Sequence, residues 1–394
     1  MLPVLRTVFF AVCLAGLGAC GSSPTPEDGS ESPSAACTLV EDGFGPDGSA
    51  WVPAEVVVDG LEVPWGIAFV GEGAMLVTER PGRIRLVEGG TLVPEPVATV
   101  EAAAEGEGGL LGIAAHPDFA ANRLFYVYYT SEQDGTPVNR VERWTLSSDR
   151  RRAARDRVVL DGIPASRFHN GGRLRFGPDG MLYGGTGDAQ EPELAQDRSS
   201  LAGKLLRLTP DGAVPPDNPF PDSPVYLTGI RNTQGFAWPN DTTVWLTDHG
   251  PTGEMGRTGH DEVNVTSAGD NLGWPTIYGC ETNDAMVTPS LTWREAVPPG
   301  GAAISRGAAL PDWQGDLIVG TLGSRHLHRV AFDDESPRRV ERHAVYLRGG
   351  PPDGYGRLRE VIAGPDGTLY VTTSNCDGRG TCPPEGDVIL RIAP

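Results

Sequence analysis

Short apolar runs, each closed by a polar turn, make up most of the chain, and one phrase of this kind returns six times. It is an apolar strand, a turn holding Gly, Pro or Asp, and a second apolar strand. The copies are WGIAFVGEGAMLVTE from Trp65, LGIAAHPDFAANRLFYVYYT from Leu111, GRLRFGPDGMLYGGTGD from Gly172, QGFAWPNDTTVWLTDHG from Gln234, GAAISRGAALPDWQGDLIVGTLG from Gly301 and REVIAGPDGTLYVTTSN from Arg359. No long segment spaces its apolar residues as a helix does, so the pattern predicts antiparallel hairpins. Most copies lead into one or two more strands, such as GRIRLVEGG, NRVERWTL, GKLLRLTPDG, HLHRVAF and DVILRIAP.

Taking Gly66, Gly112, Arg173, Gly235, Ala302 and Arg359 as equivalent starts, the steps are 46, 61, 62, 67 and 57 residues. A four-stranded unit repeated at this spacing predicts an all-β, six-bladed β-propeller of four-stranded antiparallel blades. A sandwich would not repeat one hairpin phrase six times, and solenoid coils are shorter. Residues 54–58 precede the first unit and the chain ends on a strand. One of these can complete the other's blade and close the ring.

The ends read differently. Residues 1–19 have a short basic start and an apolar run from Val8 to Leu17, too short for an ordinary membrane helix. LGAC, ending at Cys20, resembles the cleavage box of bacterial lipoproteins, which implies cleavage before Cys20 and its lipidation. Plain secretion or an uncleaved anchor are the alternatives. Residues 20–49 are expected to be a disordered tether, since Gly21 to Ala36 offer Ser, Pro, Gly, Glu and Asp without an apolar pattern. The propeller domain is then residues 50–394. The expected location is the bacterial cell envelope, outside the cytoplasm, with membrane contact only through the lipid.

Charge narrows the partners. The formal net charge is −20, and loss of residues 1–19 removes only Arg6, giving −21. Such an acidic chain is a poor candidate for nucleic acid or for anionic membrane surfaces. Of the 6 cysteines, Cys13 would leave with the signal and Cys20 would carry the lipid. Four remain, an even number for an oxidising compartment. Cys376 and Cys382 flank a short loop and can bridge, which leaves Cys37 with Cys280. A zinc site is the rival reading, but there is no Cys-x-x-Cys spacing and no nearby histidine.

Propeller geometry gathers candidate chemistry. The loops that enter and leave the inner hairpins crowd one face around the axis. His169 and Asp188 bracket the third hairpin and should meet at one edge of it, as a histidine–carboxylate base or merely as a loop staple. At the same phase stand Glu107, then Arg231, Asn232 and Gln234, then Asp248, His249, Gly250 and Pro251 with Asp261 and Glu262 beyond. Arg357 and Arg359 precede the sixth hairpin, and Thr373, Ser374 and Asn375 follow it. Three arginines aimed at one pocket suit a planar, multiply anionic ligand. Carbonyls of a Gly-Pro turn beside acids suit a hard cation such as calcium.

From about Pro64 to the C-terminus the chain resembles the soluble quinoprotein aldose sugar dehydrogenases of the glucose/sorbosone dehydrogenase family. The resemblance is carried by PWGIAF, GEGGLLGIAAHPDF, HNGGRLRFGPDG, GTGD, GKLLRLTPDG, IRNTQGFAW, HGP, DEVN, GDNLGWP and GRLREVIAGPDGTLYV, in that order. It implies a propeller that binds pyrroloquinoline quinone (PQQ) and calcium and oxidises the anomeric hydroxyl of aldoses to lactones, handing electrons to an external acceptor. His169 matches the base, Asp188 the acid that orients it, and Arg231 with Asn232 the pair over the quinone. Arg357 and Arg359 match the partners of the cofactor's carboxylates. Gly250 and Pro251 match the carbonyls that hold the cofactor's calcium. Glu262 and the Leu272 carbonyl match ligands of a structural calcium, with Asp261 in the same acidic pair.

Three positions depart from the pattern. Glu107 and His249 each stand where the glucose-oxidising branch has glutamine, and TLGSR, ending at Arg325, lacks a lysine expected to contact PQQ, with Arg325 its candidate substitute. Two other functions fit a propeller. A calcium-dependent lactonase rests on axial carboxylates and an Asn, which the arginines here fit poorly. A non-catalytic binding propeller on the cell surface would have no need of the His169, Asp188 and arginine set.

Overall fold

A computed structural model describes residues 37–308 and 310–392. Six antiparallel blades stand in a ring. Blade one is Pro64–Gly71, Ala74–Glu79, Arg83–Glu88 and Thr91–Leu92, with Ala98–Thr99 added beside its third strand. Blade two is Leu110–Ala115, Leu124–Gln133, Thr136–Leu146 and Ala153–Pro164, and blade three is Leu174–Phe176, Leu182–Gly185, Leu205–Leu208 and Val225–Leu227. Blade four is Gly235–Ala237, Thr243–Asp248, Glu262–Ser267 and Leu291–Trp293, and blade five is Pro299–Ile304, Leu317–Thr321, Leu327–Phe332 and Val340–Tyr346. Blade six takes Leu358–Ala363, Leu369–Thr373 and Asp387–Ile392 from the C-terminus and its outer strand, Ala54–Leu61, from near the start of the described chain. The early strand therefore completes the last blade, and Leu61 pairs with Asp387 to close the ring.

Apolar residues alternate on both faces of each blade because every blade is covered by two neighbours. Each of the six blade junctions accordingly holds its own core cluster. Leu76, Leu86, Phe125 and Val127 fill the junction of blades one and two. Leu205, Leu227, Phe236 and Leu246 fill that of blades three and four. On the axis a buried ion pair joins Arg173 of blade three to Glu360 of blade six. Arg175 adds a second contact to Glu360 at 2.7 Å. Trp65 lies 4.3 Å beneath the Arg173 guanidinium. Burial pushes Arg173 down to about 9 even so, with Glu360 opposing the shift.

Both expected disulfides are formed, Cys37–Cys280 and Cys376–Cys382. The first corrects the expected tether, because residues 37–49 are not free of the domain. The disulfide anchors Thr38–Val40 as a parallel fifth strand on Leu291–Trp293 of blade four. Phe44 then stacks on His326 of blade five. Its apolar residues are too few for a sequence pattern to show, and the covalent link supplies what the pattern lacks. The expected signal, the rest of the tether and Cys20 lie outside the described residues.

Candidate functional site

Antiparallel strands return the chain to one side, so the loop before each inner strand meets the loop after the second strand. His169 lies before Leu174–Phe176 and Asp188 after Leu182–Gly185. The His169 Nδ1 is 2.7 Å from Asp188 Oδ1. Asp188 Oδ1 also accepts the Gln190 N–H at 2.8 Å, and its Oδ2 accepts the Trp274 indole N–H at 2.9 Å. With the carboxylate on Nδ1, the neutral imidazole carries its proton there and presents a bare Nε2 to the cavity. His169 has φ +61°, a left-handed conformation that an L-residue adopts at a cost. Gly187 makes the approach possible: a Cβ there would lie 2.0 Å from the His169 carbonyl.

A second layer fixes this loop. The Glu107 carboxylate accepts the His169 N–H at 3.0 Å and the Arg379 guanidinium at 2.8 Å. Burial pushes Glu107 up, but His249, Arg379 and the His169 N–H together hold it at about 2. Asn232 Oδ1 accepts the Gly171 N–H at 2.9 Å. Asp248 accepts the backbone N–H groups of Arg231 and Asn232 at 2.8 and 2.7 Å. His249 bridges Asn232, at 3.2 Å, to the Pro299 carbonyl, at 2.7 Å. Burial lowers His249 to about 4, so it is a neutral strut.

These loops enclose a cavity of about 450 Å³, the size of a small-molecule site. The expected Glu107, His169, Arg231, His249, Gly250, Pro251, Asp261, Arg357 and Arg359 all line it. Asp188 and Asn232 stand behind them. Arg357 and Arg359 share Asp377, at 2.8 and 3.2 Å. Burial depresses Arg359 to about 10, against the pull of Asp377. Arg325, the candidate substitute for the missing lysine, is not among the residues that line the wall. Arg80 and Arg379 are there instead, with Trp65, Glu254 and Asp377. Arg80 ends the first hairpin at the phase of Asp188, so the phase rule applied to blade one would have found it. Glu254 opens a short 3-10 turn, Glu254–Gly256, and Asp377 lies in a loop, and no repeat marks either.

The residues fit a planar polyanion. Five arginines line the cavity, at positions 80, 231, 357, 359 and 379. The Arg231 Nε is buried with no partner. Calcium is a different case, because no cluster of three or more acidic, His or Cys side chains suited to a metal occurs among the described residues. A cation would therefore rest largely on carbonyl and hydroxyl oxygens, with at most one or two carboxylates. Asp261 already receives Gly250 N–H at 3.0 Å and Val297 N–H at 2.7 Å, so it shapes the Gly250–Pro251 turn. Glu262 lies outside the cavity, in register between Asp248 and Thr292. Its half-buried carboxylate accepts Asn264 Nδ2 at 3.0 Å. Asn264 Oδ1, Ser290 Oγ and Thr292 Oγ1 are buried without partners. They extend from the same face of blade four, where Leu272 also packs, and this oxygen-rich set fits a hard cation.

The Glucose / Sorbosone dehydrogenase family model matches residues 61–390. The aldose sugar dehydrogenase YliI of Escherichia coli is 32% identical over 353 residues, 84% of this chain and 92% of that protein. A PQQ-bound aldose sugar dehydrogenase from Streptomyces coelicolor superposes with TM-score 0.75 at 36% identity, covering 87% of this chain and 98% of that one. A Thermus thermophilus oxidoreductase assigned as a glucose dehydrogenase superposes with TM-score 0.78 at 46% identity, over 86% and 99%. On this match the chain belongs to the glucose/sorbosone dehydrogenase family, whose propeller and sugar-oxidising character it shares.

Proposed function

We propose that this chain oxidises aldoses at the anomeric hydroxyl to lactones with PQQ as cofactor. The reading rests above all on His169, whose bare Nε2 faces an arginine-lined cavity while Asp188 holds Nδ1. Arg231, Arg357 and Arg359 would hold the quinone's anionic groups. The Gly250 and Pro251 carbonyls would hold a calcium beside it, and Glu262 a structural one. When bound, the quinone supplies the two-electron acceptor for the hydride that leaves the anomeric carbon.

The chain's own residues do the rest. His169 Nε2 takes the proton of the anomeric hydroxyl. Asp188 stabilises the imidazolium that results and fixes its plane through Trp274. Oxidation then leaves a lactone, one proton on His169, and two electrons with a second proton for an external acceptor. Hydrogen bonds with Glu107, Asp188, Asp248 and His249 keep the His169 loop and the Arg231–Asn232 loop in place without substrate.

Export as a protein acylated on Cys20 completes the proposal, placing oxidation at the cell envelope. The purified protein, given PQQ and calcium, should bind the quinone and reduce a dye with one or more aldoses. No quinone absorbance and no dye reduction across an aldose panel would favour a binding role instead. Cys20→Ala should move the protein from the membrane to the soluble fraction.

A further inference from the structure

We propose that Glu254 sets which aldoses the site accepts, admitting neutral and amino sugars and rejecting those with a carboxylate near the reacting hydroxyl. The inference rests on the sugar-oxidation reading and names the substrate class for the same cavity. Residues 252–260 form an excursion between Pro251 and Asp261, both of which line the cavity, and of these nine Thr252 and Glu254 reach its wall. Glu254 Oε1 stands 3.9 Å from His169 Nε2 and 2.5 Å from Arg231 Nη2.

That spacing places the carboxylate over the reacting atoms. A hydroxyl bonded to His169 Nε2 at about 2.8 Å can lie equally near Glu254 Oε1, as can a hydroxyl on the adjoining ring carbon. The other three acids at the wall are engaged: Glu107 by Arg379 and His169 N–H, Asp377 by two arginines, and Asp261 by two backbone N–H groups. Glu254 Oε1 receives one donor, Arg231, and keeps a lone pair for another. Its side chain is 29% exposed, against 19% for Glu107 and 5% for Asp377. The Thr252 N–H, at 2.6 Å on Oε2, steadies it. A neutral hydroxyl or an ammonium therefore finds an acceptor beside the base. A uronic acid brings a like charge to within a few ångströms of one that cannot move away.

The PQQ- and calcium-loaded protein is compared with Glu254→Gln and Glu254→Ala on glucose, glucosamine and glucuronic acid. In the wild type kcat/KM should be higher for glucose and glucosamine than for glucuronic acid. In Glu254→Ala the ratio for glucuronic acid over glucose should rise on the order of 10- to 100-fold, because the repulsion goes. The glucose KM should rise about tenfold with kcat changed less, as for a lost substrate hydrogen bond. Glu254→Gln keeps the acceptor and loses the charge, so it should restore the glucose KM while keeping the relaxed ratio. Quinone absorbance and the melting temperature show that each variant is loaded and folded. An unchanged ratio in both variants overturns the assignment of Glu254 alone. Oxidation of no aldose by the loaded wild type overturns the sugar reading, and this inference with it.

Discussion

The Trp274 indole N–H donates to Asp188 Oδ2 across 2.9 Å, so the acid that holds His169 is itself held from the far side. Asp188→Asn cannot satisfy both neighbours. With its oxygen toward His169 and the Gln190 N–H, its amide nitrogen faces the Trp274 N–H, donor against donor. Flipped, it forces the imidazole proton onto Nε2 and removes the base. Turnover should fall ~100-fold or more, within the range a positioned base contributes. Trp274→Phe removes the opposing donor, so the double variant should turn over faster than Asp188→Asn alone. A strictly additive cycle in kcat would count against this geometry.

His169→Ala should keep PQQ bound, since the arginines remain, and lose nearly all turnover. Quinone absorbance together with dye reduction separates the two effects. Turnover equal to the wild type would remove His169 from the reaction.

Asp377 pairs with two guanidiniums at once. Asp377→Ala leaves Arg357 and Arg359 buried beside each other and should cost on the order of 3 kcal/mol in stability without cofactor. An anionic cofactor supplies the missing charge, so PQQ should raise the melting temperature of the variant more than that of the wild type. An equal rise in both would mean that the arginines do not meet the cofactor.

The propeller was legible because its blades are built from one repeated phrase, and each turn announces itself by Gly, Pro or Asp. His169, Asp188, Arg231, Arg357 and Arg359 were legible for a second reason: they stand at one phase of that repeat, and phase in a propeller is position on a face. Asp377, Glu254 and Arg379 stand in loops with no repeat, so their approach to the cavity is a tertiary fact. The N-terminal strand was hidden because it is three residues long and held by a disulfide across 243 residues. Arg325 shows the converse limit: a cation near the right position in sequence turned away from the cavity.

Burial holds three neighbouring histidines of blade five neutral. His326 is lowered to about 4, His328 falls well below the usual range, and His343 is also lowered. Unfolding returns each to its ordinary value near 6.5. Between pH 6.5 and 4 the unfolded chain therefore binds more protons, and this contribution to stability is present above 6.5 and lost as pH falls. His326 and His328 should each contribute a slope approaching ~1.4 kcal/mol per pH unit, and His343 adds in the same direction. Urea unfolding at several pH values should show a shallower slope in this window for His326→Gln than for the wild type. Equal slopes would mean that His326 is already protonated in the fold.

Glu262 separates two roles for a carboxylate that has no cationic partner among the described residues. Burial pushes it well above the usual carboxylate range, with the Asp248 charge adding to the effect. Asp248 itself is pushed up to about 7, again chiefly by burial. Such a pair opposes folding when ionised and bare, and favours folding when it faces a cation. Calcium a hundredfold above its Kd should raise the stability of the wild type by about 2.7 kcal/mol over its calcium-free form and lift it above Glu262→Gln. With a chelator the order should invert, because the amide removes one charge of the repelling pair and adds none. Melting curves of both proteins, with calcium and with EDTA, give the four values. A wild type that stays more stable than the amide variant in EDTA would place the cation elsewhere and leave Glu262 a structural hydrogen-bonding residue.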